Sequence, residues 1–205
     1  MRRMNNKSRV HARGFSLVEL MVALVVGLIV VGAVLALVAS IMKSNRQTLQ
    51  STRLNQELRA TVAVIANDLR RARSVTDPLT TAKTGNPYSD VDTGTASCVI
   101  FAYDGASGGA WRVIRRSGNK VVLQTAASKP ASCTSIPGTP TAFGSDQVAI
   151  TALTFSPLTT TAVAKKSTRR FDITITGNLI DQDAQLSNVS RTMSQSVYVR
   201  SIAGK

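Results

Sequence analysis

The ionisable side chain in the most demanding position is Glu19, which stands immediately ahead of 23 residues, Leu20 to Met42, that carry no charge. A carboxylate at the edge of such a run is costly in lipid, so its expected chemistry is pairing with an assigned partner. The two cysteines, Cys98 and Cys133, both lie downstream of the run. If that part of the chain is exported, a disulfide is their expected state, and closing a loop of that span would stabilise the fold by roughly 3–4 kcal/mol. A pair of unrelated buried thiols is the alternative.

Nothing else in the sequence assembles into a reactive site. His11 is the only histidine, so no serine has a Ser/His/Asp set to join. Gly105 and Gly108-Gly109 are too sparse for a phosphate-binding fingerprint. Asp90-Val91-Asp92-Thr93-Gly94 matches the opening of a calcium loop, but the later glutamate and the flanking helices are missing. A solvated acidic loop is the favoured reading there, and Asp181 and Asp183 are weaker again. Neither an enzyme activity nor a cofactor nor a metal is expected. Basic clusters occur at Arg112/Arg115/Arg116, Lys165/Lys166, Arg169/Arg170 and Arg70/Arg71/Arg73. Several of these converging would suit DNA phosphates. Few aromatic residues are interleaved for stacking on bases, so solvated surface is favoured over DNA as a partner.

These residues need elements to position them. A chain of 205 residues holds one modest globular domain plus an anchor. Trp111 is the only tryptophan, which points to a small, mainly aliphatic core. Net charge is +14, with Arg2, Arg3, Lys7, Arg9 and Arg13 all in the first fourteen residues. Without those five, 20 basic side chains face 11 acidic ones, a net of +9 that suits anionic surfaces and ordinary soluble basic proteins alike. At 1.5 Å per residue the uncharged run reaches about 35 Å, enough to cross a bilayer core. The basic stretch ahead of it should stay in the cytoplasm and place the C-terminal part outside, although Lys43, Arg46 and Arg53 weaken that bias. A secretory signal peptide cut near Val38-Ala39-Ser40 would have an apolar region far longer than the roughly 7–15 residues expected. A plain signal anchor fits the length but leaves Glu19 without a reason.

The segment Arg13-Gly14-Phe15-Ser16-Leu17-Val18-Glu19-Leu20 resembles the processing signature of type IV pilin-like prepilins: glycine, an aromatic residue, then an acidic residue four positions further on. The resemblance implies that prepilin peptidase cuts between Gly14 and Phe15 and that Phe15 becomes an N-methylated N-terminus. It also removes His11 from the mature chain. Glycine admits the backbone to a peptidase site without a side chain to clash. The cut creates an amine, and in a filament core Glu19 of one subunit can neutralise the Phe15 amine of its neighbour. By this reading the partners are prepilin peptidase, other pilins or pseudopilins met through the helix, and inner-membrane lipid. The protein is expected in the inner membrane as a single pass with its C-terminal part in the periplasm, and in a pilus or pseudopilus after assembly.

Downstream, no proline interrupts the chain from Phe15 until Pro78. Leu54, Leu58, Val62, Ile65 and Leu69 step by 4, 4, 3 and 4, an apolar stripe on one helix face. The spacing predicts a helix from Phe15 to about Ser74, ended by Asp77-Pro78. Gly27 and Gly32 read as ordinary membrane glycines. Residues 76–97 read as an exposed connecting loop. Strands are expected at Cys98–Tyr103, Trp111–Arg116, Lys120–Thr125, Val148–Phe155, Arg170–Thr176 and Met193–Arg200, with Ser117-Gly118-Asn119 as a tight hairpin. A Pro/Ser/Thr/Gly loop from Ala126 to Ser145 holds Cys133. The expected organisation is a leader at 1–14, a hydrophobic helix at 15–42, an amphipathic helix at 43–75 and a β-rich globular part at 76–205. The fold class is α+β, a long N-terminal helix packed on an antiparallel sheet.

Within the pilin-like proteins, Asn67-Asp68-Leu69-Arg70-Arg71-Ala72, the strand from Cys98 to Tyr103-Asp104, and Ile150-Thr151-Ala152-Leu153-Thr154-Phe155 look like PilW-type minor pilins. They are also similar to the J-type pseudopilins of type II secretion. The resemblance implies a minor pilin that helps prime or assemble a type IV pilus. A type II secretion pseudopilin and a DNA-binding minor pilin of a competence pilus are the alternatives.

Overall fold

The computed structural model describes residues 14–158, 169–180 and 189–199. Residues 1–13 of the leader, Lys165/Lys166, Asp181/Asp183 and Arg200 lie outside the described residues. Helix α1 runs from Leu17 to Arg70 without a break. The chain divides into two compact units, one ending at Gln47 and one beginning at Thr48. In the first unit every described residue up to Arg46 is exposed, including the aliphatic side chains from Leu17 to Met42. This part of α1 is long and apolar enough to cross a membrane.

In the second unit the stripe acts as its spacing demands. Leu54, Leu58, Val62, Ile65, Ala66 and Leu69 are all buried, each contributing on the order of 1.5–3 kcal/mol for the larger side chains. They pack in one core with side chains from two antiparallel sheets. The first sheet has the order β1–β2–β3–β4–β5 and the second the order β6–β7–β8, with β1 at Val91–Asp92, β2 at Cys98–Ala102, β3 at Trp111–Ser117, β4 at Lys120–Ala126, β5 at Thr141–Phe143, β6 at Val148–Pro157, β7 at Arg170–Leu179 and β8 at Ser190–Tyr198. Two sheets thus replace the single one expected. The join is made by β6, where the Ile150 N–H donates to Asn119 O at 2.7 Å and the Phe155 N–H to Ala96 O at 2.8 Å.

Strand β2 is buried on both faces, which explains its continuous apolar run. Val99 and Phe101 join the main core. Cys98, Ile100 and Ala102 point the other way, into a second cluster with Trp111, Val113 and Ala126. Hairpin β3–β4 turns where Ser117 pairs with Lys120, with Gly118 at φ 58°. Gly109 has φ 117°, and a Cβ there would sit 2.4 Å from Ala126 O, so the turn into β3 needs the absence of a side chain.

Two readings need correction. Asp77-Pro78 does not end α1, which stops at Arg70; it starts a short helix, α2, at Pro78–Thr84. The Asp77 carboxylate accepts the N–H groups of Leu79 and Thr80 at 3.0 and 3.1 Å, and proline at the first helical position loses no bond. The actual end of α1 is set by Arg73, a buried residue at φ 67°. Its N–H donates to Ala102 O at 2.8 Å, its carbonyl accepts from Asn86 Nδ2 at 2.8 Å, and its Nε donates to Ser89 O at 2.7 Å. Burial lowers the pKa of this guanidinium from its ordinary value, with nearby Asp90 opposing the shift. Residues 76–97 and 126–145 are therefore not plain loops, since they carry α2, β1 and β5.

Candidate functional site

Gly14, Phe15 and Ser16 precede the first helical residue. Phe15 is 80% exposed, and Gly14 is exposed as well. The Leu20 N–H donates to Ser16 O at 3.1 Å, which closes the first turn and puts Glu19 inside it. A carboxylate there complements the positive end of the helix dipole. The site therefore combines an open Gly–Phe bond, an acidic first turn and an apolar helix surface with nothing packed on it. A surface so apolar is stable only against lipid or other helices.

Cys98 and Cys133 are joined in a disulfide with a Cα–Cα distance of 6.4 Å. It ties buried β2 to the loop after β4, beside Tyr88, Trp111 and Ile136 of the second cluster. The acidic stretch 90–94 is engaged within the fold. Asp90 accepts from Lys129 Nζ at 2.8 Å, and Asp92 accepts the Gly94 N–H at 2.8 Å. Among the described residues no group of three His, Cys, Asp or Glu side chains is placed to hold a metal ion.

Several of the described arginines in the basic clusters are engaged within the fold. Arg70 donates to Asn67 Oδ1 at 2.8 Å, Arg115 to Gln124 Oε1 at 3.0 Å and Arg116 to Gly118 O at 2.8 Å. Arg73 and Arg112 are buried. Arg112 instead belongs to a cluster that sequence reasoning missed. The Tyr103 hydroxyl donates to Asp68 Oδ1 at 2.6 Å and accepts from Arg112 Nε at 3.2 Å. Arg112 Nη2 donates to Ser107 O at 3.0 Å, and the Arg71 guanidinium lies 4.2 Å from the Tyr103 ring centroid. Burial, then the bond to Asp68, raises the Tyr103 pKa above its ordinary value, and Arg112 opposes the shift. The only signal in the sequence was indirect: Asp68 and Arg71 lie in one of the pilin-like phrases and Tyr103 in another, and the fold brings the two phrases together.

Residues 9–41 match the prokaryotic N-terminal methylation motif, which contains Gly14, Phe15, Glu19 and most of the uncharged run. Residues 47–199 match the family described as prepilin peptidase-dependent protein B, and this stretch contains both cysteines and the whole Asp68–Tyr103–Arg112 cluster. No curated protein and no solved structure matches the chain. With the longer match covering well over half of its residues and the motif at its head, the chain is a type IV pilin-like prepilin and belongs to the prepilin peptidase-dependent protein B family.

Proposed function

We propose that this protein is a minor pilin that helps assemble or prime a type IV pilus. Prepilin peptidase cuts between Gly14 and Phe15, Phe15 is N-methylated, and the helix over 15–42 holds the subunit in the inner membrane with its globular part in the periplasm. In the filament the same helix packs against its neighbours, and Glu19 neutralises the Phe15 amine of an adjacent subunit. The protein acts as a structural part and not as a catalyst. The observation that carries this reading is the Gly14–Glu19 segment at the head of a helix whose apolar side chains from Leu17 to Met42 are all uncovered. In the disulfide-bonded globular unit, α1 has its own stripe buried, so the uncovered surface is not a missing piece of that core.

A pseudopilin of type II secretion would share this processing and anchoring, and the similarity of residues 67–72 to J-type sequences favours keeping it as the second reading. Genomic neighbours, pilus genes or secretion genes, divide the two. The test of processing is the intact mass and N-terminal peptide of the protein recovered from membranes. N-methylated Phe15 as the first residue supports the proposal. A start near Ile41, as ordinary signal peptidase would leave, overturns it.

A further inference from the structure

Beside the Tyr103 cluster, α1, β3, β4 and β5 leave an open groove of about 490 Å³. Its apolar lining includes Val64, Leu123 and Phe143, and its polar lining includes Arg71, Arg112 and Tyr103. Arg112 is only 7% exposed, yet among the described residues no carboxylate lies within ion-pair distance of it. Its two hydrogen bonds, to Tyr103 and Ser107, use two of the five N–H donors a guanidinium carries. The Arg71 guanidinium lies over the Tyr103 ring, 4.2 Å from its centroid, and a planar guanidinium can still present an N–H edge to a carboxylate. The one acid of the cluster, Asp68, is held by the Tyr103 hydroxyl. Two cations and one committed carboxylate therefore border a partly apolar groove. A buried guanidinium without an anionic partner is the kind of group a ligand carboxylate completes.

We propose that this groove receives an acidic segment of a neighbouring pilin-type subunit. The segment's carboxylate meets Arg71 and Arg112, and an adjoining apolar side chain rests on Val64, Leu123 and Phe143. Charge complementarity selects the occupant: the chain carries 25 basic and 11 acidic side chains, so an acidic segment is attracted and another basic surface is repelled. Nucleic acid fits less well, because Tyr103 is buried, at 2% exposure, and is no open platform for stacking a base. The inference rests on the pilin reading for the class of partner, but not for the chemistry of the groove.

The test is photocrosslinking of the full-length protein in cells that assemble the filament, with benzoylphenylalanine replacing exposed Val64 in one strain and exposed Leu28 in another. Crosslinks from position 64 should map to a peptide of a pilin-type subunit with Asp or Glu beside the attachment point. Arg71→Gln and Arg112→Gln should each cut that yield by about tenfold, while crosslinks from position 28 are unchanged. Arg112→Lys should restore part of the yield. The Cys98–Cys133 bond, checked by thiol labelling, shows that the variants fold. Crosslinks from position 64 to nucleic acid, to lipid alone, to a peptide without an acidic residue, or at a yield indifferent to both arginines, overturn the groove. If position 28 captures pilin-type subunits and position 64 does not, the groove fails and the minor-pilin reading stands. If neither position does, both fail.

Discussion

The Tyr103 hydroxyl lies 2.6 Å from Asp68 Oδ1 and so bonds the last turns of α1 to the end of β2. This contact fixes where the helix meets the first sheet, because α1 stops two residues later, at Arg70. Removing the hydroxyl in Tyr103→Phe leaves both the Asp68 carboxylate and Arg112 Nε short of a partner. The expected cost is about 1–3 kcal/mol in chemical denaturation of the detergent-solubilised protein. A stability equal to that of the parent would mean that the contact is not formed.

The same tyrosine gives the alkaline limb of stability. Its pKa is raised in the fold, chiefly by burial and then by Asp68. The folded state thus holds a proton that the unfolded state releases first. Its contribution is complete below the unfolded value, about 10, and is lost as pH rises through the folded value. Stability should therefore fall above about pH 10 in the parent protein and fall less steeply in Tyr103→Phe. Spectrophotometric titration at 295 nm should show one tyrosine ionising after the others.

On the acidic side the sign is reversed. Asp104 is held below the usual carboxylate range by the Thr76 hydroxyl, the Thr76 N–H and the Gly105 N–H. Asp77 is held below it by the Thr80 hydroxyl and N–H and by the Leu79 N–H. These contributions are present above the unfolded value, about 3.9, and disappear as pH falls through the lower folded values. Asp77→Ala, which removes the cap of α2, should lower stability at neutral pH. The difference between parent and variant should narrow as the pH falls through the lowered folded-state value of Asp77.

Gly109→Ala tests the turn into β3. The new Cβ would sit 2.4 Å from Ala126 O at a φ of 117°, so backbone must move. A loss of about 2–4 kcal/mol is expected. Gly118→Ala, with positive φ but nothing within 4 Å of the added carbon, should cost clearly less. Equal losses would show that conformational strain alone, and not the approach to Ala126, governs position 109.

Replacing both cysteines, Cys98→Ala with Cys133→Ala, opens a loop with a sequence separation of 35. The expected loss is roughly 3–4 kcal/mol by loop entropy, with a further contribution from the space left at buried Cys98 beside Ile100 and Trp111. Denaturation in the presence and absence of reductant measures it on the parent chain.

Much of this fold could be read from residue spacing. The stripe from Leu54 to Leu69 is long and regular, and β-branched runs mark β2, β3, β4, β6 and β7. What escaped was either short or ambiguous. Thr141–Phe143 is too brief to show a period of two. Asp77-Pro78 carries the same residues whether a helix stops before it or starts at it, and only the direction in which the Asp77 carboxylate caps decides. The N-terminal motif, which the methylation-motif match covers, was legible because its residues are adjacent. The groove was not, because Asp68, Tyr103 and Arg112 come from three separate elements. Arg112 also reads as surface charge beside Arg115 and Arg116, when strand alternation turns it to the opposite face from Arg115. The division into two sheets had no local marker.

The charge pair at the head of α1 remains the centre of the proposed function. It is tested most directly by the fate of Glu19→Ala in cells that build the filament, followed by mass spectrometry of the mature N-terminus and by the amount of the subunit in sheared filaments. The expected result is a chain still cut after Gly14 and methylated on Phe15, present in membranes at parental level, and strongly depleted from filaments. A processed Glu19→Ala subunit that enters filaments as well as the parent would contradict it.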